Sequence, residues 1–307
     1  MCADEVNISK IADSLLSDID ISLQFILGEK NPGNNRDDIK INRNNSHSIF
    51  TKSIDQFQPC PQLMDTHLCS FINRITDSYI KNCLHSDQNS LLDEQISDSF
   101  YQFAKVRGSK TTSNFLNSDI SLLPHVVKRV TLCSSWKSRY FLLLWLSVLI
   151  LTPFPLSKIE DQLPDNVYIM SCTFLESSSG KETDAASVLM ARFLSRVDTQ
   201  SYLTRFITEH INSLKWKDTS VFTRIGILST INFLLKISTL NHLSPYLNRI
   251  STLTFNELQD GSKLSSSVLK LLIKILGKIS LYFLRMANFS RIEDAITIML
   301  SYVSHQD

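Results

Sequence analysis

Apolar residues recur at spacings of three and four along almost the whole of this 307-residue chain, with no strand-like alternation between the runs. Near the start, Ile8, Ile11, Leu15, Ile19, Leu23 and Ile26 form one stripe, widened by Leu16 and Leu27. This predicts an amphipathic helix within residues 1–28. Residues 29–47 are rich in Asn, Asp, Arg and Lys around Pro32 and Gly33. They hold too little apolar surface to offset the entropy of ordering, so a flexible polar loop is expected there. From 48 to 307 the helical stripes return, near 48–57, 63–84, 89–104, 119–131, 136–151, 164–178, 183–195, 200–215, 219–239, 245–257, 264–286 and 289–304. Pro59, Pro61, Pro124, Pro153, Pro155, Asp198, Asp218, Pro245 and Asp260-Gly261 punctuate them as caps or turns. The chain has only seven glycines and eight prolines, where average usage gives roughly 21 and 15. Long helices joined by short turns need few of either.

Several of these helices are apolar over a wide arc. Residues 264–284 include Val268, Leu269, Leu271, Leu272, Ile273, Ile275, Leu276, Ile279, Leu281 and Phe283. A helix in a two-layer bundle needs one stripe, whereas one packed against its own partner and against neighbouring repeats needs more. Helix pairs at a spacing of about 40 residues therefore predict an all-α fold, an α-solenoid of HEAT/armadillo-like repeats over 48–307. A compact helical bundle is the structural alternative. Trp136, Tyr140, Phe141 and Trp145 share one edge of a predicted helix and are expected in the core.

The chemistry of cofactors and catalysis finds no foothold. Gly108, Ser109, Lys110 and Thr111 look superficially like a phosphate-binding loop, but that motif needs glycines where Ser109 and Ala104 stand. Gly180, Lys181 and Glu182 fail in the same way. Seven histidines form no His-x-x-x-His pair, and six scattered cysteines form no Cys-x-x-Cys pair, so no metal site is expected. The cysteines are expected to be reduced and mostly buried. No catalytic residue and no cofactor are assigned, and a non-enzymatic binding protein is expected. The acidic first residues precede no secretory apolar core. The most apolar run, 140–151, is 12 residues against the ~20 a bilayer requires, so no membrane insertion is expected.

The net charge of +1 conceals an uneven distribution. Residues 1–100 carry 8 Lys/Arg against 15 Asp/Glu, 101–150 carry 7 against 1, and 151–307 carry 16 against 14. Two basic features stand out. One is the stretch Lys105, Arg107, Lys110, Lys128, Arg129, Lys137 and Arg139; the other is Lys270, Lys274 and Lys278 at i, i+4 and i+8, extended by Lys263 and Arg285. Either is read as a solvated helix face or as a docking surface for an acidic protein. Near-neutral overall charge without interleaved aromatics argues against nucleic acid. Lys105, Arg107, Arg139, Lys270, Lys274 and Lys278 are the candidate partner-binding residues. Arg107 and Arg139 serve equally well as inter-repeat salt-bridge partners.

Three stretches resemble one family, tubulin-folding cofactor D (tubulin-specific chaperone D). The first is Cys60-Pro61-Gln62-Leu63-Met64-Asp65-Thr66-His67-Leu68. The second pairs Lys105-Val106-Arg107-Gly108 with Trp136-Lys137-Ser138-Arg139-Tyr140, the run to Ser147, and the Pro153-Phe154 turn. The third runs from Asp184-Ala185-Ala186 to Arg196-Val197-Asp198. Together they resemble the N-terminal region of the family from about residue 50 to 290. The resemblance implies a cytoplasmic, microtubule-associated HEAT/armadillo-like chaperone acting after the chaperonin. It implies β-tubulin as cargo, with cofactors E and C and an Arf-like small GTPase as partners in assembling the α/β-tubulin heterodimer. It further implies help to cofactor C in stimulating GTP hydrolysis by tubulin, so that the hydrolysis is the partner's chemistry. The family's chain is several times longer, and residues 29–47 have no counterpart in it. A helical-repeat adaptor for a different cargo is the competing expectation, and an enzyme with an unfamiliar site is a third.

Overall fold

The computed structural model describes residues 3–30, 36–85, 91–177, 180–211, 216, 219–259 and 264–303. Among these residues there are helices and no strands. The chain divides into two compact units, residues 1–152 and 153–307.

The first unit contains α1 (Ala3–Ile26), α2 (Arg36–Asp55), α3 (Asp65–Tyr79), α4 (Leu91–Arg107), α5 (Ser109–Ser113), α6 (Leu123–Leu132) and α7 (Trp136–Leu149). A 3₁₀ turn, Pro61–Met64, leads into α3, and a single π-helical turn, Ile80–Leu84, ends it. The pairs α1/α2 and α6/α7 pack side by side, and α4 is the centre, touching α1, α2, α3, α5 and α7. Gly108 sits between α4 and α5 at φ +95°, in the left-handed region where only glycine is unstrained.

Helix α4 is unusual because its buried face is polar: Asp93, Gln95, Ser97, Asp98, Ser99 and Gln102 are all buried beside Ile96, Phe100 and Phe103. Buried polar groups are tolerated when they are hydrogen-bonded and buried charges when they are paired. Arg129 from α6 forms a fully buried ion pair with Asp93. Ser138 from α7 donates to Asp93 at 2.8 Å, and Tyr79 from α3 donates to it at 3.3 Å. Asp93 thus joins four helices. Asp98 receives Lys137 Nζ at 2.7 Å and His47 Nε2 at 2.8 Å. Burial raises the pKa of Asp98, and the bonds from His47 and Lys137 outweigh it, so the carboxyl lies below its ordinary value. Around this network Phe141 and Trp145 stack, and Trp145 Nε1 donates to the Asn117 carbonyl at 2.7 Å.

Three expectations are corrected in this unit. Residues 36–47, expected to be a flexible loop, belong to α2. The helix packs beside α1, and polar contacts tie its C-terminal half to α4: Gln95 donates to Asn44, and His47 meets Asp98. Residues 31–35 of the expected loop lie outside the described residues. Trp136, expected in the core, is 37% exposed and packs edge-on against Tyr101, whereas Tyr140, Phe141 and Trp145 are buried. Cys60 and Cys69 are exposed thiols, not buried ones.

The second unit contains α8 (Leu163–Leu175), α9 (Gly180–Leu194), α10 (Gln200–His210), α11 (Val221–Ile237), α12 (Leu240–Gln259), α13 (Ser266–Arg285) and α14 (Phe289–Val303). Helices α9, α11 and α13 pack in succession as one row, their starts separated by about 40–45 residues as a helical repeat requires. Helices α12 and α14 pack against each other and against α13. Tyr246 of α12 meets Thr204 of α10 at 2.7 Å, and Tyr302 of α14 donates to the Leu258 carbonyl at 2.6 Å. Helix α11 is flanked on both sides, which explains its apolar surface all round. Its Gly226 has no room for a Cβ, which would lie 2.4 Å from the Leu175 carbonyl oxygen of α8. Ser220 and Ser265 cap α11 and α13, accepting from Thr223 and Val268 backbone N–H groups. Pro245, expected to start a helix, lies inside α12, and the Ser244 hydroxyl turns to the Asn241 carbonyl that proline cannot serve.

The Asp93 network carries a stability prediction. Arg129→Met removes the counter-charge from a buried carboxylate and is expected to lower unfolding free energy by about 3–5 kcal/mol in urea titrations. Adding Asp93→Leu is expected to recover most of that loss. A single variant as stable as the parent would contradict the reading.

Candidate partner-binding surface

The two basic features of the sequence have different fates. In the first, Lys105, Arg107, Arg129, Lys137 and Arg139 are all engaged within the unit. Lys105 Nζ lies 2.8 Å from Asp55 on α2, and Arg107 clamps Asp65 on α3 with bonds of 2.6 and 2.8 Å. The bond from Lys105 holds Asp55 below its ordinary pKa, and the bond from Arg107 does the same for Asp65. Arg139 donates to the carbonyls of Cys133 at 2.8 Å and Ser134 at 3.0 Å, closing the turn before α7. Arg129 and Lys137 serve Asp93 and Asp98. Exposed pairs of this kind add little stability, but they leave a nearly compensated field. They also show why the resembling stretches hang together: Arg107 of the second clamps Asp65 of the first. In the third, Asp198 accepts from the Leu156 N–H and Arg196 donates to the Phe154 carbonyl, fixing the Pro153-Phe154 turn.

The second feature is different. Lys270 and Lys274 on α13 are exposed, and among the described residues no carboxylate pairs with either. Lys278 is half-buried, its Nζ held by the carbonyl and side-chain oxygens of Asn232 on α11 at 2.5 and 2.6 Å. Burial lowers its pKa, and the positive charges of Lys236 and Lys274 lower it further. Lys236, at the end of α11, therefore belongs to the same cluster. Sequence reasoning passed over it, although it stands one repeat length before Lys278. At 3.6 residues per turn, Lys270, Lys274, Lys278, Leu281, Leu284 and Arg285 fall within an arc of about 120°. Leu281 and Leu284 are 61% and 54% exposed on that arc. Lys263, expected to extend the stripe, lies outside the described residues. The result is a cationic ridge on a rigid helix, like-charged at its own expense, with an apolar step at its C-terminal end.

Elsewhere the side chains offer little chemistry. Among the described residues no group of three or more His, Cys, Asp or Glu is placed to hold a metal. Burial pushes the Cys133 thiol up to about 11 and the Cys172 thiol up to about 12, so neither is a thiolate nucleophile at neutral pH. No described helix is long and apolar enough to cross a membrane.

Comparison with known proteins adds a family. A family model described as tubulin-specific chaperone D-like, ARM repeat, matches residues 54–214. Tubulin-folding cofactor D of Schizosaccharomyces pombe (strain 972 / ATCC 24843) is 29% identical over 211 residues, which is 66% of this chain and 18% of that protein. The chain thus spans less than a fifth of the length of that relative. No solved structure matches. The ARM-repeat match agrees with the packed helix pairs, and the fold class is an α-solenoid of armadillo-like repeats. The matched span takes in the pairs Asp93–Arg129, Asp98–Lys137, Asp55–Lys105 and Asp65–Arg107 of the first unit and ends before α11 and α13.

The like-charge cluster has a measurable signature. Because the folded-state pKa of Lys278 is depressed, its charged form burdens the folded state in full below that pKa. The burden disappears as pH rises towards the ordinary lysine value of 10.5. Lys274→Glu replaces repulsion by attraction. It is expected to move the Lys278 titration, followed by NMR, back upward, and to leave the thermal midpoint at pH 7 unchanged or raised. A midpoint several degrees lower would show that Lys274 supports the fold.

Proposed function

From the membership of this chain in the tubulin-specific chaperone D-like family, we propose that it is a tubulin-folding chaperone that holds β-tubulin during assembly of the α/β-tubulin heterodimer. It works as a binding surface, in concert with cofactors E and C and an Arf-like small GTPase. Any effect on GTP turnover is exerted on tubulin with cofactor C, with the hydrolysis occurring on tubulin itself. The place of action is the cytoplasm, alongside microtubules.

The observation that carries the reading is the cationic ridge of α13. Three lysines on α13 with Lys236 of α11 beside them, and no carboxylate partners among the described residues, are a poor arrangement for stability and a good one for meeting an acidic protein. Tubulin is acidic, so the ridge steers it by charge complementarity. Steering of this kind raises the association rate and weakens as salt screens it. Lys105, Arg107 and Arg139 enter the proposal as residues that shape the first unit, with their charges already engaged. Lys270 and Lys274, with Lys236 added, are the proposed contacts. Lys278 is the anchor that sets the ridge against α11.

The experiment is a pull-down of purified tubulin by the chain at low and at 0.3 M salt (about a 6 Å screening length). Retention is expected to fall about tenfold or more when Lys236, Lys270 and Lys274 are reversed to Glu, and to fall with salt in the parent. Retention indifferent to both would remove the ridge from the function. GTP hydrolysis by the isolated chain without tubulin would contradict the reading of a binding protein.

A further inference from the structure

The ridge has a polarity that simple attraction to an acidic surface does not use. Its first three members, Lys270, Lys274 and Lys278, stand one helical turn apart, about 6 Å from each to the next. The same face then turns apolar at Leu281 and Leu284, both more than half exposed, and ends at Arg285, whose guanidinium lies 6.0 Å from the Tyr282 ring centroid. Ile237, next to Lys236 at the end of α11, is also exposed at 47%. The ground beneath is firm. Lys278 is bonded to Asn232, and the Tyr282 hydroxyl donates to the carbonyls of Leu235 and Ser238 at 3.1 and 2.8 Å, so α13 cannot roll against α11 without breaking these contacts. A charged row followed by an apolar step, on a helix locked in rotation, reads a partner's pattern as well as its charge.

We propose that the α13 face binds an amphipathic helical segment of the partner, with carboxylates one turn apart leading into a pair of large apolar residues. A partner helix matches the ridge because its own i, i+4 spacing repeats at the same 6 Å rise. The carboxylates lead because acidic residues stabilise the N-terminal half of a helix. The partner helix therefore runs parallel to α13, its acidic turns over Lys270 and Lys274 and beside the anchored Lys278, and its apolar pair over Leu281 and Leu284. Charge brings the segment in, and the apolar step fixes its register. The proposal rests on the reading of α13 as the cargo-binding surface and adds which part of a cargo it takes.

The test uses the full chain and two fluorescently labelled 20-residue helical peptides of identical composition, followed by anisotropy. One has three Glu one turn apart and then two Leu on the same face; the other has those Leu moved to the opposite face. The first is expected to bind about tenfold tighter or more, since covering roughly 55 Å² of apolar surface gives that factor. Leu281→Ser with Leu284→Ser is expected to erase the difference while keeping the weaker, salt-sensitive binding of both peptides. Lys270→Glu with Lys274→Glu is expected to abolish both. Equal binding of the two peptides by the parent chain would overturn the proposal, and that comparison depends on no variant folding. So would a preference that survives the leucine replacements. Tubulin retention lost on lysine reversal but kept on leucine replacement would sink this inference and leave the ridge reading standing. Retention kept in both would sink the two together.

Discussion

A carboxylate and a guanidinium can be taken out of water only if each answers the other and their remaining hydrogen-bonding capacity is met. The first unit is organised around that constraint. Asp93, buried in α4, draws Arg129, Tyr79 and Ser138 from three other helices. One turn and a half further along, Asp98 draws His47 and Lys137. The same logic continues outward, where Arg74 meets Asp20 and Glu29, Lys105 meets Asp55 and Arg107 meets Asp65. Basic residues that look like a docking site in the linear sequence are the partners that the acidic N-terminal helices require.

The second unit meets its packing demand differently. Its row of α9, α11 and α13 is held by aliphatic and aromatic burial, with few buried charges among the described residues. Cross-repeat hydrogen bonds, such as Ser187 to the Gly226 carbonyl and Tyr282 to the Leu235 carbonyl, set one helix against the next. Lys278 is held by Asn232, while Lys236, Lys270 and Lys274 enter no ion pair among the described residues. Charge left over from folding is available for recognition, and on α13 it is mounted on a helix whose rotation is fixed. Preorganisation of that kind reduces the ordering that binding would otherwise require.

Much of this fold was legible in the sequence. The three- and four-residue periodicity located most helices, and the wide apolar arcs of α11 and α13 announced helices covered on more than one side. The burial of Phe141 and Trp145 followed from the same reasoning. The helix at 36–47 was not legible, because Asn44 and His47 meet Gln95 and Asp98 about fifty residues away, and polar contacts of that kind leave no apolar stripe to read. Trp136 was misplaced because periodicity fixes a face and not how far the covering helix extends. The candidate site was legible as two basic features of equal standing. Only three-dimensional pairing separates Lys105 and Arg107, which have carboxylates, from Lys270 and Lys274, which have none among the described residues, and only repeat stacking brings in Lys236.

The central claim is that an acidic cargo covers the uncompensated lysines and not the compensated ones. Lysine-reactive footprinting of the chain, with and without bound tubulin and read by mass spectrometry, tests it residue by residue. The account predicts that Lys236, Lys270 and Lys274 become protected while Lys105 is labelled equally in both states. Protection of Lys105 with unchanged labelling along α13 would contradict it.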